Sequence, residues 1–192
     1  MPNEDYAIVL DYLPRGKSTG YRAEPLCQIL GTEFFTVLEA VPKAELKIGE
    51  TVYVGKDERP KIGIIKRRIS YPELTSTAQI ELPKAVENVI TDNAAKFLSF
   101  FNDSASLSLR MHQLELLPGL GKKHTHAVLE EREKKKFESF DEITKRIHLM
   151  PDPVKLLVRR ILLEIQGEGG KHYLFARPPA PPEQRNRFGG RS

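Results

Sequence analysis

Leu116-Leu117-Pro118-Gly119-Leu120-Gly121-Lys122-Lys123 holds the residue types that can bind an anion without performing any reaction on it. Two glycines, one residue apart, let the backbone turn sharply and keep side chains away from an approaching ligand. Val128 and Leu129 resume an apolar period after the turn, which predicts a helix opening at Lys122. A helix start presents unpaired N–H groups and partial positive charge. Phosphate suits such a site and needs no contact with a base. Lys122 and Lys123 add full charges at that end, and Arg132 adds another further along. Leu120, between the glycines, is expected to be buried as the anchor of the turn.

From Leu114 to Arg132 the chain resembles a helix-hairpin-helix, the small motif that grips nucleic-acid backbones in repair and RNA-handling proteins. That pattern places a small residue four positions after the second glycine, where Thr125 stands instead of the more usual Ala. Apolar residues are expected at Val128 and Leu129, and a basic one at Arg132. The resemblance implies sequence-independent backbone binding by Gly119, Leu120, Gly121, Lys122, Lys123 and Arg132. From the residues alone, the same turn also fits a glycine-capped helix end that merely redirects the chain. Arg132 equally fits a pair with a nearby Glu.

Lys66-Arg67-Arg68 is a second basic cluster. On a strand its side chains alternate, so Arg67 opposes its two neighbours. Beside Tyr53 or Tyr71 such a face would suit single strands through stacking and charge; a solvated strand edge favours the same residues. Lys134-Lys135-Lys136 reads as a solvated helix end. Lys155 and Arg159, four apart, share a helix face, and Arg160 joins them on a solvated surface. His124 and His126 diverge on a helix and meet no other ligand at zinc spacing, so no metal is expected. Cys27 reads as a packed strand residue. The phosphate-loop, dinucleotide and nucleophile-elbow patterns are missing. Asp141 reads as part of a helix start rather than as a catalytic acid. No cofactor is expected.

These residues need elements to hold them. The first 70 residues read as strands: Tyr6–Leu13, Leu26–Leu30, Phe34–Val41, a turn and strand over Leu46–Gly55, and Ile62–Ile69. Five short strands without an intervening helix predict a small closed barrel, OB-like or SH3-like. From about Leu82 the period becomes helical, with Pro83 in a first turn and stripes over 85–90 and 94–101. A helix capped by Ser104 or Ser106 is expected to carry Leu107, Met111 and Leu114. Ser139-x-x-Glu142 has the form of a capping box. The turn His148–Pro153, with Asp152 as cap and Pro153 at the first helical position, resembles a degenerate second hairpin, structural rather than phosphate-binding. A last helix carries Leu157, Ile161 and Ile165, and Lys171–Ala176 is expected as a short strand.

The expected organisation is therefore α+β. An OB-like barrel occupies 1–80, a tandem helix-hairpin-helix region 81–177, and a disordered basic tail 178–192. Its 192 residues carry a net charge of +4. Residues 1–109 sum to −2, whereas 110–177 sum to +4 and 178–192 to +2, so the basic excess accompanies the hairpin. One cysteine excludes an internal disulfide. The polar N-terminus is no signal peptide, and no apolar run approaches the roughly 20 residues of a membrane span. A cytoplasmic protein without membrane partners is expected.

Nearly the whole chain resembles an archaeal family known as domain of unknown function 655, which pairs an OB-like barrel with a helix-hairpin-helix region. The resemblance runs through Lys66–Tyr71, Leu74–Ala78, the hairpin, and Phe137–Asp141. It implies nucleic-acid binding, RNA favoured over DNA, and protein partners in RNA processing or translation. The expected function is non-catalytic binding of the phosphate backbone by the hairpin, with Lys66, Arg67 and Arg68 of the barrel helping. A nucleic-acid-processing enzyme or subunit, and a protein-interaction scaffold, are the alternatives. Removing 178–192 is expected to leave stability unchanged and weaken binding modestly at low salt.

Overall fold

The computed structural model describes residues 4–16 and 24–178. Five antiparallel strands, β1 (Tyr6–Leu13), β2 (Leu26–Gly31), β3 (Val37–Pro42), β4 (Thr51–Tyr53) and β5 (Ile62–Arg68), form one sheet in the order β4-β1-β2-β3-β5. Register shifts between Val9 and Asp11 on β1 and at Glu39–Pro42 on β3 bend the sheet into a half-barrel. The expected closed barrel is not formed: among the described residues β4 and β5 remain the edges. β4 has only three residues, and Arg59 spans the gap after it, donating to the carbonyls of Gly55 (2.7 Å) and Gly63 (3.4 Å).

Both faces of the sheet are covered, which explains why β2 is buried at every position. Inside the curl lie Val9, Cys27, Ile29, Val52 and Ile62. Ile8, Leu10, Leu30 and Val37 face outwards, where α1 (Ser76–Asp92) packs Ala78, Leu82, Val86 and Val89 against them. The boundary expected at 80/81 falls inside this helix. Its start is held by polar residues buried in the sheet. The Thr75 hydroxyl caps Ala78 N–H and donates to Asp11 (2.6 Å). Gln28 accepts from Thr75 N–H (2.8 Å) and donates to the Glu73 carbonyl (3.0 Å). The helix therefore begins seven residues before Pro83 and runs through it, at the cost of one backbone hydrogen bond.

α2 (Ala94–Asp103) buries Phe97 and Phe101. The next expected helix is not α-helical. A hairpin, β6 (Ser106–Ser108) and β7 (Met111–His112), is followed by a 3₁₀ turn over Gln113–Leu116. The period-two alternation of Ser106-Leu107-Ser108-Leu109 is a strand pattern. His112 fixes the junction: its Nδ1 accepts Leu114 N–H (3.1 Å), and Glu115 accepts His112 N–H (3.0 Å). Burial, then the nearby Arg132 charge, lowers the His112 pKa and favours the neutral ring this bond needs.

α3 (Lys122–Lys134), α4 (Phe140–Arg146) and α5 (Pro153–Gln166) complete the fold. Asp152 caps α5 through Val154 and Lys155 N–H, as its position predicts. Ser139 caps Glu142 N–H (3.2 Å), but the Glu142 carboxylate reaches Glu138 rather than closing the box. Lys171–Ala176 forms no strand; Leu174, Phe175 and Ala176 donate their N–H groups to the buried Glu164. No helix among the described residues is long and apolar enough to cross a membrane. Of the tail expected over 178–192, all from Pro179 onwards lies outside the described residues.

Candidate nucleic-acid interface

Leu117 and Leu120 are both buried and tether the glycine turn to the core, and Leu120 N–H donates to the Leu117 carbonyl (3.0 Å). Gly119 has φ +98°, a conformation side chains rarely adopt. The two glycines differ in role. Gly121 is extended (φ −77°, ψ 169°), which any residue tolerates, and a Cβ there would meet nothing within 4 Å. It is the N-cap of α3 and supplies no capping side chain. The first N–H groups of α3 therefore receive no side-chain cap from Gly121. Lys122 and Lys123 follow, both exposed, and neither forms an ion pair among the described residues.

The other predicted contacts are engaged within the fold. Arg132 donates to the Phe101 carbonyl (3.1 Å) and Ser104 Oγ (3.3 Å), closing the end of α2. Lys66 pairs with Glu24. Arg67 bridges Glu39 (3.1 Å) and Glu73 (2.6 Å). Burial alone would raise the Glu73 carboxyl, but Ser70 N–H, Arg67 and the Ser70 hydroxyl outweigh it and hold its pKa at about 2. Arg68 donates to the carbonyls of Arg177 and Pro178. Tyr53 hydrogen-bonds Asp57 (3.1 Å), and Tyr71 packs on the core. The structure thus separates Lys122 and Lys123 from the cluster on β5: the former face solvent, the latter ties strands to the rest of the chain. Lys134, Lys135 and Lys136 each pair with an acid.

Arg160 departs furthest from expectation. It is buried and pairs with Glu164 (2.8 Å). Its neighbour Arg159 stands beside the turn, with Nη1 3.9 Å from where a Cβ on Gly119 would sit. Sequence reasoning did not attach Arg159 to the hairpin, nor Arg110 and His126, which line one cleft with Lys122. His126 was detectable, since it follows Lys122 by four residues on one helix face. His124 and His126 open into different clefts. Thr125 is buried, and its hydroxyl has no hydrogen-bond partner among the described residues.

Cys27 is enclosed in the half-barrel and donates to the Ala40 carbonyl (3.4 Å); burial pushes its thiol up to about 12. Native protein at mildly alkaline pH should react with a thiol reagent roughly 100-fold or more slowly than unfolded chain. Rapid native labelling would show that the half-barrel opens.

The architecture is that of a mixed α+β protein: a curled antiparallel half-barrel and five helices, with a glycine turn leading into a helix that starts with two lysines. The chain belongs to the family described as "Protein of unknown function (DUF655)", whose model matches residues 3–177. It is 41% identical over 177 residues to the uncharacterised protein MJ0038 of Methanocaldococcus jannaschii, covering 91% of this chain and 80% of that one. The crystal structure of Af1531 from Archaeoglobus fulgidus, also of the DUF655 family, shares 43% identity with a TM-score of 0.85, covering 91% of this chain and 100% of that one.

Proposed function

We propose that this protein is a non-catalytic nucleic-acid-binding module that holds the phosphate backbone, RNA in preference to DNA, at the N-terminus of α3. The observation that carries this reading is the uncapped start of α3, with Lys122 and Lys123 exposed and without an acidic partner among the described residues. Helix N–H groups and two point charges then meet the same anion. The preference for RNA rests on what the whole-chain family resemblance implies, not on the geometry of α3. Because Lys66, Arg67 and Arg68 are engaged internally, the half-barrel's contribution is chiefly to brace the helices.

Reversing both charges, Lys122→Glu with Lys123→Glu, tests the reading without touching the core. Affinity should fall alike for unrelated RNA and DNA sequences. The slope of log affinity against log salt should shrink by roughly two units, about one per lost phosphate contact. An unaltered affinity and slope in the folded double variant would rule out this site.

A further inference from the structure

Two clefts flank the first turns of α3. One, of about 430 Å³, lies against the β6–β7 hairpin and is lined by Leu109, Arg110, Met111, Lys122 and His126. The other, of about 290 Å³, lies against the turn between α4 and α5 and is lined by Lys123, His124, Arg146, His148 and Leu149. Each cleft carries a leucine at a turn. Leu109 is fully exposed, and Leu149 is 77% exposed.

One exposed leucine needs no explanation. Here, however, both occupy turn positions, which ordinarily go to polar residues or glycine. Leu149 also sits at φ 56°, in the left-handed region that disfavours a side chain. Glycine would relax that backbone, and burial gives the leucine little in return. Local stability therefore does not account for it, and an unfavourable conformation of this kind suggests a role outside the free fold.

The surroundings indicate what the leucines meet. Arg110 and Lys122 line one together with Glu115, and Lys123 and Arg146 line the other together with Glu130 and Glu131, with His124 and His148 alongside. The acids nearby are largely engaged: Glu115 accepts His112 N–H, and Glu131 lies between Lys134 and Arg146. Glu130, lower on α3, faces His126 (3.4 Å). Apolar tips beside the exposed Lys122 and Lys123 match a polyanion that also offers apolar faces. Nucleic acid does so where its bases are not stacked on one another.

We propose that Leu109 and Leu149 are wedges that pack against unstacked bases on either side of the phosphates held at α3. The protein then selects interrupted helices, such as bulges, junctions and frayed ends, over continuous duplex. This rests on the backbone-binding reading and adds a selectivity that phosphate contacts cannot supply.

The test uses the full chain and two RNA probes of equal length and charge, a continuous duplex and a bulged duplex with 2-aminopurine beside the bulge. Wild-type protein should favour the bulged probe by roughly tenfold, the scale of one base-stacking contact. Its binding should raise the 2-aminopurine fluorescence as the base unstacks. Leu109→Ser with Leu149→Gly should bind both probes at the continuous-duplex affinity, with no fluorescence rise. Leu149→Gly alone should have an equal or higher Tm than wild type, so lost selectivity is not lost folding. Equal wild-type binding to both probes would overturn the wedge while leaving the backbone site intact. Wild-type binding to neither would overturn both. A double variant that keeps the preference would overturn the wedge and favour a protein partner for the tips.

Discussion

Glu164→Ala should lower the unfolding free energy by about 3–5 kcal/mol, the usual cost of breaking a buried ion pair on one side. Glu164 is completely buried and Arg160 nearly so. One carboxylate oxygen accepts Arg160 Nε and Leu174 N–H, both at 2.8 Å; the other accepts Phe175 N–H (2.9 Å) and Ala176 N–H (2.7 Å). Arg160 in turn donates to the carbonyls of Gly169 (3.1 Å), His172 and Leu116 (3.4 Å). Removing the carboxylate strands a guanidinium and three N–H donors at once. Replacing both partners by apolar residues often rescues a buried pair. It should fail here, because the backbone donors remain without an acceptor. Chemical denaturation of wild type, Glu164→Ala and the apolar double variant would check this. A loss below about 1 kcal/mol in the single variant would show that the pair is not buried as described. Since Arg160 also holds Leu116, the damage should extend to the approach of the glycine turn.

Why Arg160 reads as a surface residue in sequence is clear from its partners. The spacing 160–164 is visible, but it predicts an ordinary exposed helix pair. Burial comes from residues 169–176 folding back over α5, and no local rule announces that. The barrel cluster is similar: Glu24, Glu39 and Glu73, which engage Lys66 and Arg67, lie on other elements. The start of α1 is set by Asp11 and Gln28, more than forty residues away. By contrast, features decided within a few residues are legible. The cap at Asp152 with Pro153, the Ser139 hydroxyl cap, the long strand Tyr6–Leu13 and the tethered Leu120 all follow from local chemistry. The helix expected over 107–114 failed for a local reason too, since apolar residues every three or four positions coexist there with a period-two alternation that the hairpin adopts. At the candidate site the turn and lysines were legible. Arg159 and the clefts depend on how α5 and the hairpins pack.

Gly31→Ala should cost about 2–4 kcal/mol, although its φ is not in the left-handed region, because the added methyl would displace a buried carboxylate. A Cβ on Gly31 would lie 2.0 Å from the Glu4 carboxyl carbon. Glu4 is buried; its oxygens accept N–H from Glu33 (2.8 Å), Phe34 (3.1 Å) and Thr36 (3.1 Å). Those bonds hold the turn between β2 and β3 where Phe35 adopts φ 51° and packs, 2% exposed, against Phe97. The same turn receives the C-terminal segment: the Phe34 carbonyl accepts Arg177 N–H (2.9 Å), one residue beyond the N–H groups gathered by Glu164. Two buried carboxylates thus secure one seam, where the half-barrel meets the helices that carry the candidate site. If the methyl acts only by evicting Glu4, Gly31→Ala and Glu4→Ala must be strongly non-additive. In a Glu4→Ala background the glycine substitution should cost less than about 1 kcal/mol, a coupling within the range seen for residues in contact. A double-variant cycle read by urea denaturation measures this directly. Full additivity would mean that the methyl meets some other obstacle and that Glu4 does not hold the turn.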